Sequence, residues 1–468
     1  MRRPTDPPQA GRSAHRLYPV RKVNIVRPRA RSASRNVLYL AAAYLFLQAM
    51  GALGFIDRFI YGEWSGKGGD HFTEAINLVG IAASLFLFWS STRGGRIARI
   101  NRGLPLAAAS LLLISVLWSV DPRVTISQGT VYFFVVLGAI GMAETLDSDA
   151  LMDLAATLFG LCAIASLAQI IIFPEPITMT VRGIFVNKNM LGQVMAAGVL
   201  TGLHVMRTRG GLRLRYICII VACTFAAFKS ESTTSMMAIA VFLLLDMLGR
   251  LYLKGGSHRI ISICLTSACV LIFIVFWINK DLIFESLGKD PTFTGRTAFW
   301  PYVIDNILKR PFLGWGYLAF WSPLNPSALQ ISEAIRRPDD WYLLGIANAH
   351  NGMLEFLLEV GLLGTSFFTF LWVRNFVMAI KCMKGPSAQI GLSSVLLLVG
   401  VLVIGVSEEV LISAGQIETS LFFLMGFMCE KKLWLAGAAR RQGMITPDVR
   451  RRMGASDRLD FPRGPAWP

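Results

Sequence analysis

Charge is scarce in this sequence. Asp, Glu, Lys and Arg make up 16% of its 468 residues, against about 25% in a soluble protein, which excludes an ordinary water-soluble globule. Cysteine is sparse as well. Cys162, Cys218, Cys223, Cys264 and Cys269 fall within apolar stretches, and Cys382 and Cys429 at their ends. The one long polar segment has none, so neither a disulfide nor a thiolate metal site is expected there. Histidine occurs five times, and no outward-facing carboxylates have metal-ligand spacing. No metal and no other cofactor are therefore expected. No cleavable leader is expected either: the first apolar run follows a long polar arm, and no small-residue cleavage site follows the run. Two related halves are missing too, which counts against a transporter built from repeats.

What is present is apolar length. Hydrophobic residues make up 54% of the chain and mean hydropathy is +0.53. Stretches long enough to cross a bilayer recur at about 37–56, 74–91, 104–120, 125–143, 151–173, 189–206, 214–228, 233–253, 260–278, 361–381, 390–407 and 412–429. The expected fold class is an all-α polytopic membrane protein with about twelve transmembrane helices. A long helical external loop separates spans nine and ten.

Positive charge gives an independent test. With the first residues inside, the inside segments hold 33 of the 46 lysines and arginines, as cytoplasmic flanks should. The expected division is a basic cytoplasmic arm (1–36), spans one to nine (37–278), an external segment (279–351), spans ten to twelve (352–429) and a basic cytoplasmic tail (430–468). This predicts a multi-pass protein of a bacterial inner membrane with both ends cytoplasmic. The net charge of +17 lies mostly in arm and tail. Beside membrane spans it reads as attraction to anionic lipid rather than nucleic acid.

Residues 279–351 organise the rest. They hold Thr294-Gly295-Arg296-Thr297, with Thr294 as a candidate cap, and then an amphipathic run from Ala298 to Lys309. Phe299, Trp300, Val303, Ile304 and Ile307 share one face of that run, predicting a helix lying flat on bilayer or bundle. Arg296 has the wrong sign for a helix start, which a nearby anion would correct. Lys309 and Arg310, at the far end of the helix, read as structural. The segment closes on Asn348-Ala349-His350-Asn351.

His350 stands just before the likeliest helix cap, Asn351, where a helix start disfavours imidazolium. A neutral imidazole there can accept a proton from a hydroxyl, although an isolated loop histidine is more often inert. Glu355 and Glu359 share a helical face with Asn351 and could orient His350 or pair with arginines. An earlier external loop carries Arg182, Lys188 and Asn189, and Asn187 or Asn189 can cap the next helix. Two basic side chains beside a helix start can cradle a diphosphate; Arg182 could equally snorkel to lipid headgroups.

Other polar residues carry less. Asp121-Pro122 marks a tight outside turn. Asp147-Ser148-Asp149 matches a metal-binding Asp-x-Asp, but acidic residues also favour a helix start. His71 reads as a surface residue and Glu408-Glu409 as solvated. Gln416 and Glu418 lie in or near the last span, where a buried carboxylate is functional or paired. His204, Asp246 and Arg250 lie toward inner ends.

Arg182-Gly183-x-Phe185-x-Asn187-x-Asn189, Thr294-Gly295-Arg296-x-x-x-Trp300, Pro311-x-x-Gly314-x-Gly316 and Ala349-His350-Asn351-x-x-x-Glu355-x-x-x-x-Gly361-x-x-Gly364, in this order, resemble the bacterial O-antigen ligase and polysaccharide polymerase superfamily. The resemblance covers about residues 37–430 and is greatest to exopolysaccharide polymerases of succinoglycan-type pathways. It implies an inverting, metal-independent glycosyltransferase without cofactor. Such an enzyme moves an undecaprenyl-diphosphate-linked oligosaccharide onto an acceptor sugar hydroxyl at the outer face of the inner membrane. His350 would be the base, Arg182, Arg296 and Lys188 the diphosphate ligands, and Asn189, Asn351 and Glu355 their support. Its partners would be the lipid-linked donor, the acceptor glycan and the bilayer, with chain-length regulators and export proteins as further candidates and no nucleic acid. A ligase acting on lipid A core, or a flippase, is the alternative.

Overall fold

The structure, a computed structural model, describes residues 32–56, 69–93, 100–173, 181–209, 213–279, 296–335 and 348–441. Most of the basic arm and tail, and the candidate cap Thr294, lie outside them. The described residues contain helices and no strand. In order they are α1 (Ser32–Ala49), α2 (Gly69–Arg93), α3 (Gly103–Ile114, extended by one 3-10 turn), α4 (Pro122–Thr145), α5 (Ser148–Ile172), α6 (Lys188–Thr208), α7 (Leu214–Lys229), α8 (Thr233–Lys254), α9 (Gly256–Ile278), α10 (Arg296–Lys309), α11 (Pro326–Ile335), α12 (Gly352–Met383), α13 (Ala388–Gly405) and α14 (Ile417–Arg441).

Each of the twelve apolar segments is helical over most of its length. Among the described residues six helices are long and apolar enough to cross a membrane: Phe72–Arg93, Pro122–Thr145, Ser148–Ile172, Thr233–Lys254, Gly352–Met383 and Ala388–Gly405. Shorter apolar helices accompany them at Gly103–Leu117 and Gly256–Ile272. The last segment is shorter than expected, because Ile412–Gln416 is not helical. The hydroxyls of Tyr132 and Tyr317 donate to the carbonyls of Leu411 and Ile412 at 2.7 and 2.6 Å. Those carbonyls are thus satisfied without a helical ladder. Leu411 also has φ +66°, which a helix does not accept.

One apolar core runs through the bundle, with Tyr132 near its middle. Its ring meets Tyr317, Phe368 and Phe423 edge-on at 5.8, 6.1 and 6.0 Å, a favoured aromatic geometry. A second, smaller core belongs to the polar segment. Phe299, Val303 and Ile307 of α10 pack there with Trp315, Phe320, Ile331 and Leu358. The amphipathic helix forms, but its buried face is narrower than expected. Ile304 is 44% exposed, because a period of 3.6 turns it away from Phe299, Val303 and Ile307.

The link between the two cores is backbone on backbone. Trp315 and Gly316 donate their N–H groups to the carbonyls of Leu358 and Glu359, and Leu362 and Leu363 donate to those of Pro311 and Phe312. This exchange interrupts α12 at Gly361, whose φ is +62°. A Cβ at Gly361 would lie 2.4 Å from the Phe312 carbonyl, and one at Gly314 2.5 Å from that of Glu359. Only glycine permits both the contact and the backbone angles. The Asp121-Pro122 turn continues the seam. Val120 N–H donates to Trp315 O, Trp118 Nε1 to Leu313 O, and Ser322 Oγ to Asp121 Oδ2. Asp121 caps α4 with Pro122 in its first turn, so the predicted turn signal marks a helix start.

Candidate active site

The loop ahead of α6 is anchored by Phe185, which is wholly buried. The carbonyl of Arg182, a half-buried residue, accepts from the Phe185 N–H at 3.1 Å. Asn187, one of the two asparagines expected to cap, is the one that does so: its Oδ1 accepts from Met190 N–H at 2.8 Å. That leaves Asn189 free to reach elsewhere. Lys188 is the first residue of α6, where the helix dipole is positive. Arg182, Lys188 and Asn189 thus stand on one short stretch at one end of the bundle.

His350 stands at the same end, at the start of α12. Its backbone has φ +48°, in the left-handed region that a non-glycine residue adopts at some cost. Three contacts hold it there. Ala349 N–H donates to Glu355 Oε2 at 2.6 Å, Ala349 O accepts from Trp300 Nε1 at 3.0 Å, and His350 N–H donates to Asn348 Oδ1 at 2.9 Å. The ring lies edge-on to Phe299, 6.5 Å between centroids. It is one third exposed, yet its Nδ1 is sealed from solvent and makes no hydrogen bond. The open edge of the ring is therefore the Nε2 edge.

The group facing Nδ1 is Glu408, whose Oε2 is 3.7 Å away. The same carboxylate accepts from Asn189 Nδ2 through Oε1 at 2.8 Å. Glu408 therefore joins the α6 start to His350. This corrects its reading as a solvated residue: it is 7% exposed, in the connection between α13 and α14. A carboxylate opposite Nδ1 favours the tautomer with its proton there, leaving Nε2 as an acceptor. Bonds of this kind are often long before substrate binds. Asn351 fixes the arrangement twice. Its Oδ1 caps α12 through Met353 and Leu354 N–H, and its Nδ2 donates to Val406 O at 3.1 Å, two residues before Glu408.

Glu355 and Glu359 are fully buried, and among the described residues neither bonds the imidazole or an arginine side chain. Glu355 takes Trp321 Nε1–H as well as the Ala349 N–H, and Glu359 takes the N–H groups of Ala319 and Phe320. Glu355 supports His350 through the peptide before it. The reason is burial: these carboxylates face the loop core, where neutral donors surround them. Beyond Glu408, burial and the Glu408 charge push Glu409 up to about 7. Gln416 donates to the Glu409 carbonyl at 2.6 Å, and Glu418 is buried with Oε1 unpartnered.

Arg296 opens α10 one turn before Phe299, the residue that touches His350. Its side chain lies outside the described residues, as does that of His71 in α2. No described contact joins Arg182 to His350 directly; Asn189, seven residues after Arg182 in the chain, bonds the Glu408 that faces His350. Lys309 bonds Asn306, and Arg310 lies over the Trp315 ring at 4.2 Å, structural roles as expected. Asp147 caps α5 through Asp149 and Ala150 N–H at the opposite end of the bundle, which explains Asp147-Ser148-Asp149 without a metal.

Residues 218–369 match the family model described as O-antigen ligase. That stretch is similar to the O-antigen ligase family. The matched range, running from α7 into α12, contains Arg296, His350, Asn351 and Glu355. Arg182, Lys188, Asn189 and Glu408 stand outside the matched range but at the same end of the bundle. The chain is also 26% identical over 344 residues to the exopolysaccharide production protein ExoQ of Rhizobium meliloti (strain 1021), covering 66% of this chain and 77% of the relative. The O-antigen ligase and polysaccharide polymerase superfamily, with a relation to ExoQ, is where both findings put the sequence. Members of the matched family are membrane ligases and polymerases resembling glycosyltransferases.

Proposed function

We propose that this protein is an inverting, lipid-diphosphate-dependent glycosyltransferase that extends an exopolysaccharide from undecaprenyl-diphosphate-linked units. It is read as a twelve-span inner-membrane enzyme with the 279–351 segment on the outer face. What carries the reading is the joint at Glu408, which faces His350 Nδ1 at 3.7 Å and is bonded by Asn189 from the loop that bears Arg182.

In this mechanism His350 Nε2 takes the proton of the acceptor sugar hydroxyl. The oxygen attacks the anomeric carbon from the face opposite the diphosphate. The carbon–oxygen bond to the diphosphate breaks, and its electron pair leaves on the lipid diphosphate. Arg182, Arg296 and Lys188 meet the growing charge, the guanidinium forks suiting phosphate oxygens two at a time. Glu408 holds the imidazole and balances its charge once protonated. The proton then passes to water or to the released diphosphate. General-base catalysis of this kind contributes about 10²–10⁴-fold.

Purified protein reconstituted with a lipid-linked oligosaccharide tests the proposal. Long lipid-linked polymer is expected, with Arg182→Lys strongly impaired and His350→Ala leaving single units. New glycosidic bonds at wild-type rate in His350→Ala would overturn the base assignment. Translocation without bond formation would mean a flippase instead. The name of the matched family favours a second reading, transfer to lipid A core; products bearing core sugar rather than lengthened lipid-linked units would select it.

A further inference from the structure

A cavity of about 320 Å³ opens at the end of the bundle opposite His350, between the α12–α13 turn and α14. Lys381 and Lys384 enter it from the turn and Lys432 from α14, with Cys382, Ser387 and Leu433 completing the wall. The basic residues around it have other partners. Arg102 holds Glu144, Arg374 holds Glu430, Arg209 holds Asp153, and Arg207 and Arg250 both hold Asp246. Lys431, next in sequence, is turned away. Its Nζ donates to Ala143 O at 2.6 Å and Leu146 O at 3.1 Å, at the last turn of α4.

Lys381, Lys384 and Lys432 differ. Among the described residues none of the three forms an ion pair or a side-chain hydrogen bond. The acid that feels the Lys432 charge, Asp149, is directed at His204 Nε2, 3.8 Å away. Three ammonium groups from two elements around one cavity repel one another unless an anion lies between them. The same wall holds Ser387, which makes no capping bond at the start of α13.

We propose that this cavity binds a phosphate-bearing anion. Lysines gather phosphate as point charges, and three of them line this one cavity. A volume near 320 Å³ takes a headgroup or a small phosphate, at the lower end of the range for ligand pockets. The chemistry is shared by an anionic phospholipid headgroup and a soluble phosphate; basic pockets between membrane helices hold headgroups in this way. The proposal does not depend on the glycosyltransferase reading, since no residue is common to the two sites.

Full-length protein in neutral detergent is titrated with short-chain phosphatidylglycerol and, separately, with inorganic diphosphate, while its melting temperature is followed. Short-chain phosphatidylcholine is the zwitterionic control. An Arg182→Gln background weakens diphosphate binding at the other end. Saturable stabilisation is expected, weakening about fivefold for each lysine neutralised and on the order of a hundredfold in K381Q/K384Q/K432Q. The corresponding triple arginine variant should retain it. Response to phosphatidylglycerol alone identifies a lipid headgroup, and response to diphosphate as well identifies a soluble phosphate. No saturable response to either, or an equal one in the triple glutamine variant, overturns the proposal. Should that variant fail to fold, Lys384→Gln, an exposed side chain, carries the same comparison.

Discussion

The two ends of the bundle satisfy their carboxylates with different partners. At the end away from His350, Glu144, Asp153, Asp246 and Glu430 each hold arginine. At the His350 end, Glu355 and Glu359 are held by backbone and indole N–H groups. Asp121 takes the Ser322 hydroxyl and two backbone N–H groups, which keep its carboxyl below the usual range. Ion pairs between helices fix one end of the bundle. Neutral donors at the other end hold Glu355, Glu359 and Asp121 in place. A scaffold and a site thus differ in what is bound to their acids.

The sharpest test of that contrast is His350→Gln. Product formation should fall about 10²–10⁴-fold with little change in melting temperature, as measured on reconstituted protein. Asp246→Ala is its mirror at the far end. It leaves the guanidinium of Arg207, 4% exposed, without its main partner, so stability should fall by about 3–5 kcal/mol. The specific activity of the folded fraction should be unchanged, which denaturant melts paired with activity assays would read. An activity loss equal to that of His350→Gln would erase the distinction between the ends.

Glu408→Gln sharpens it further. Glutamine can still accept from Asn189 but faces His350 without charge, so turnover should fall about ten- to a hundredfold, within the range for general-base support. Unchanged turnover in a pH–rate series would remove Glu408 from the site. Gly361→Ala should cost roughly 2 kcal/mol or more, from its positive φ and the clash with Phe312. Limited proteolysis should then cut the polar segment sooner.

The smallest effect is Glu409→Gln. A carboxyl raised from 4.5 to about 7 binds its proton more tightly in the folded state. Its contribution is present at low pH and declines as pH rises through that window. The variant should flatten the decline, seen as melting temperature against pH.

Local chemistry was legible in the sequence. Apolar length marked the helices, Asn187 and Asn351 cap as their side chains allow, and Asp121-Pro122 opens a helix. His350 was legible because a histidine beside a cap in a polar segment is conspicuous. Glu408 was not, because its partners lie 219 residues back and 58 residues back in the chain, and nothing local separates a solvated glutamate from a bridging one. Glu355 and Glu359 were placed on the correct helical face, but the indole and backbone N–H groups they bind were not legible, since helical period fixes direction but not what lies opposite. The seam at Gly361 was hidden for the same reason: Pro311-x-x-Gly314-x-Gly316 and Gly361 acquire their meaning only from each other.

The break at Gly361 also sets a height. Residues 362–383 form a rod of about 33 Å at 1.5 Å per residue, close to the roughly 30 Å hydrocarbon layer. The stub from Gly352 to Val360 adds at most about 13 Å beyond it. In the proposed membrane orientation that stub carries His350 out of the hydrocarbon layer on the side where the lipid diphosphate is presented. Lengthening the stub by a full turn would shift the imidazole away from Glu408 and Asn189, which belong to other elements.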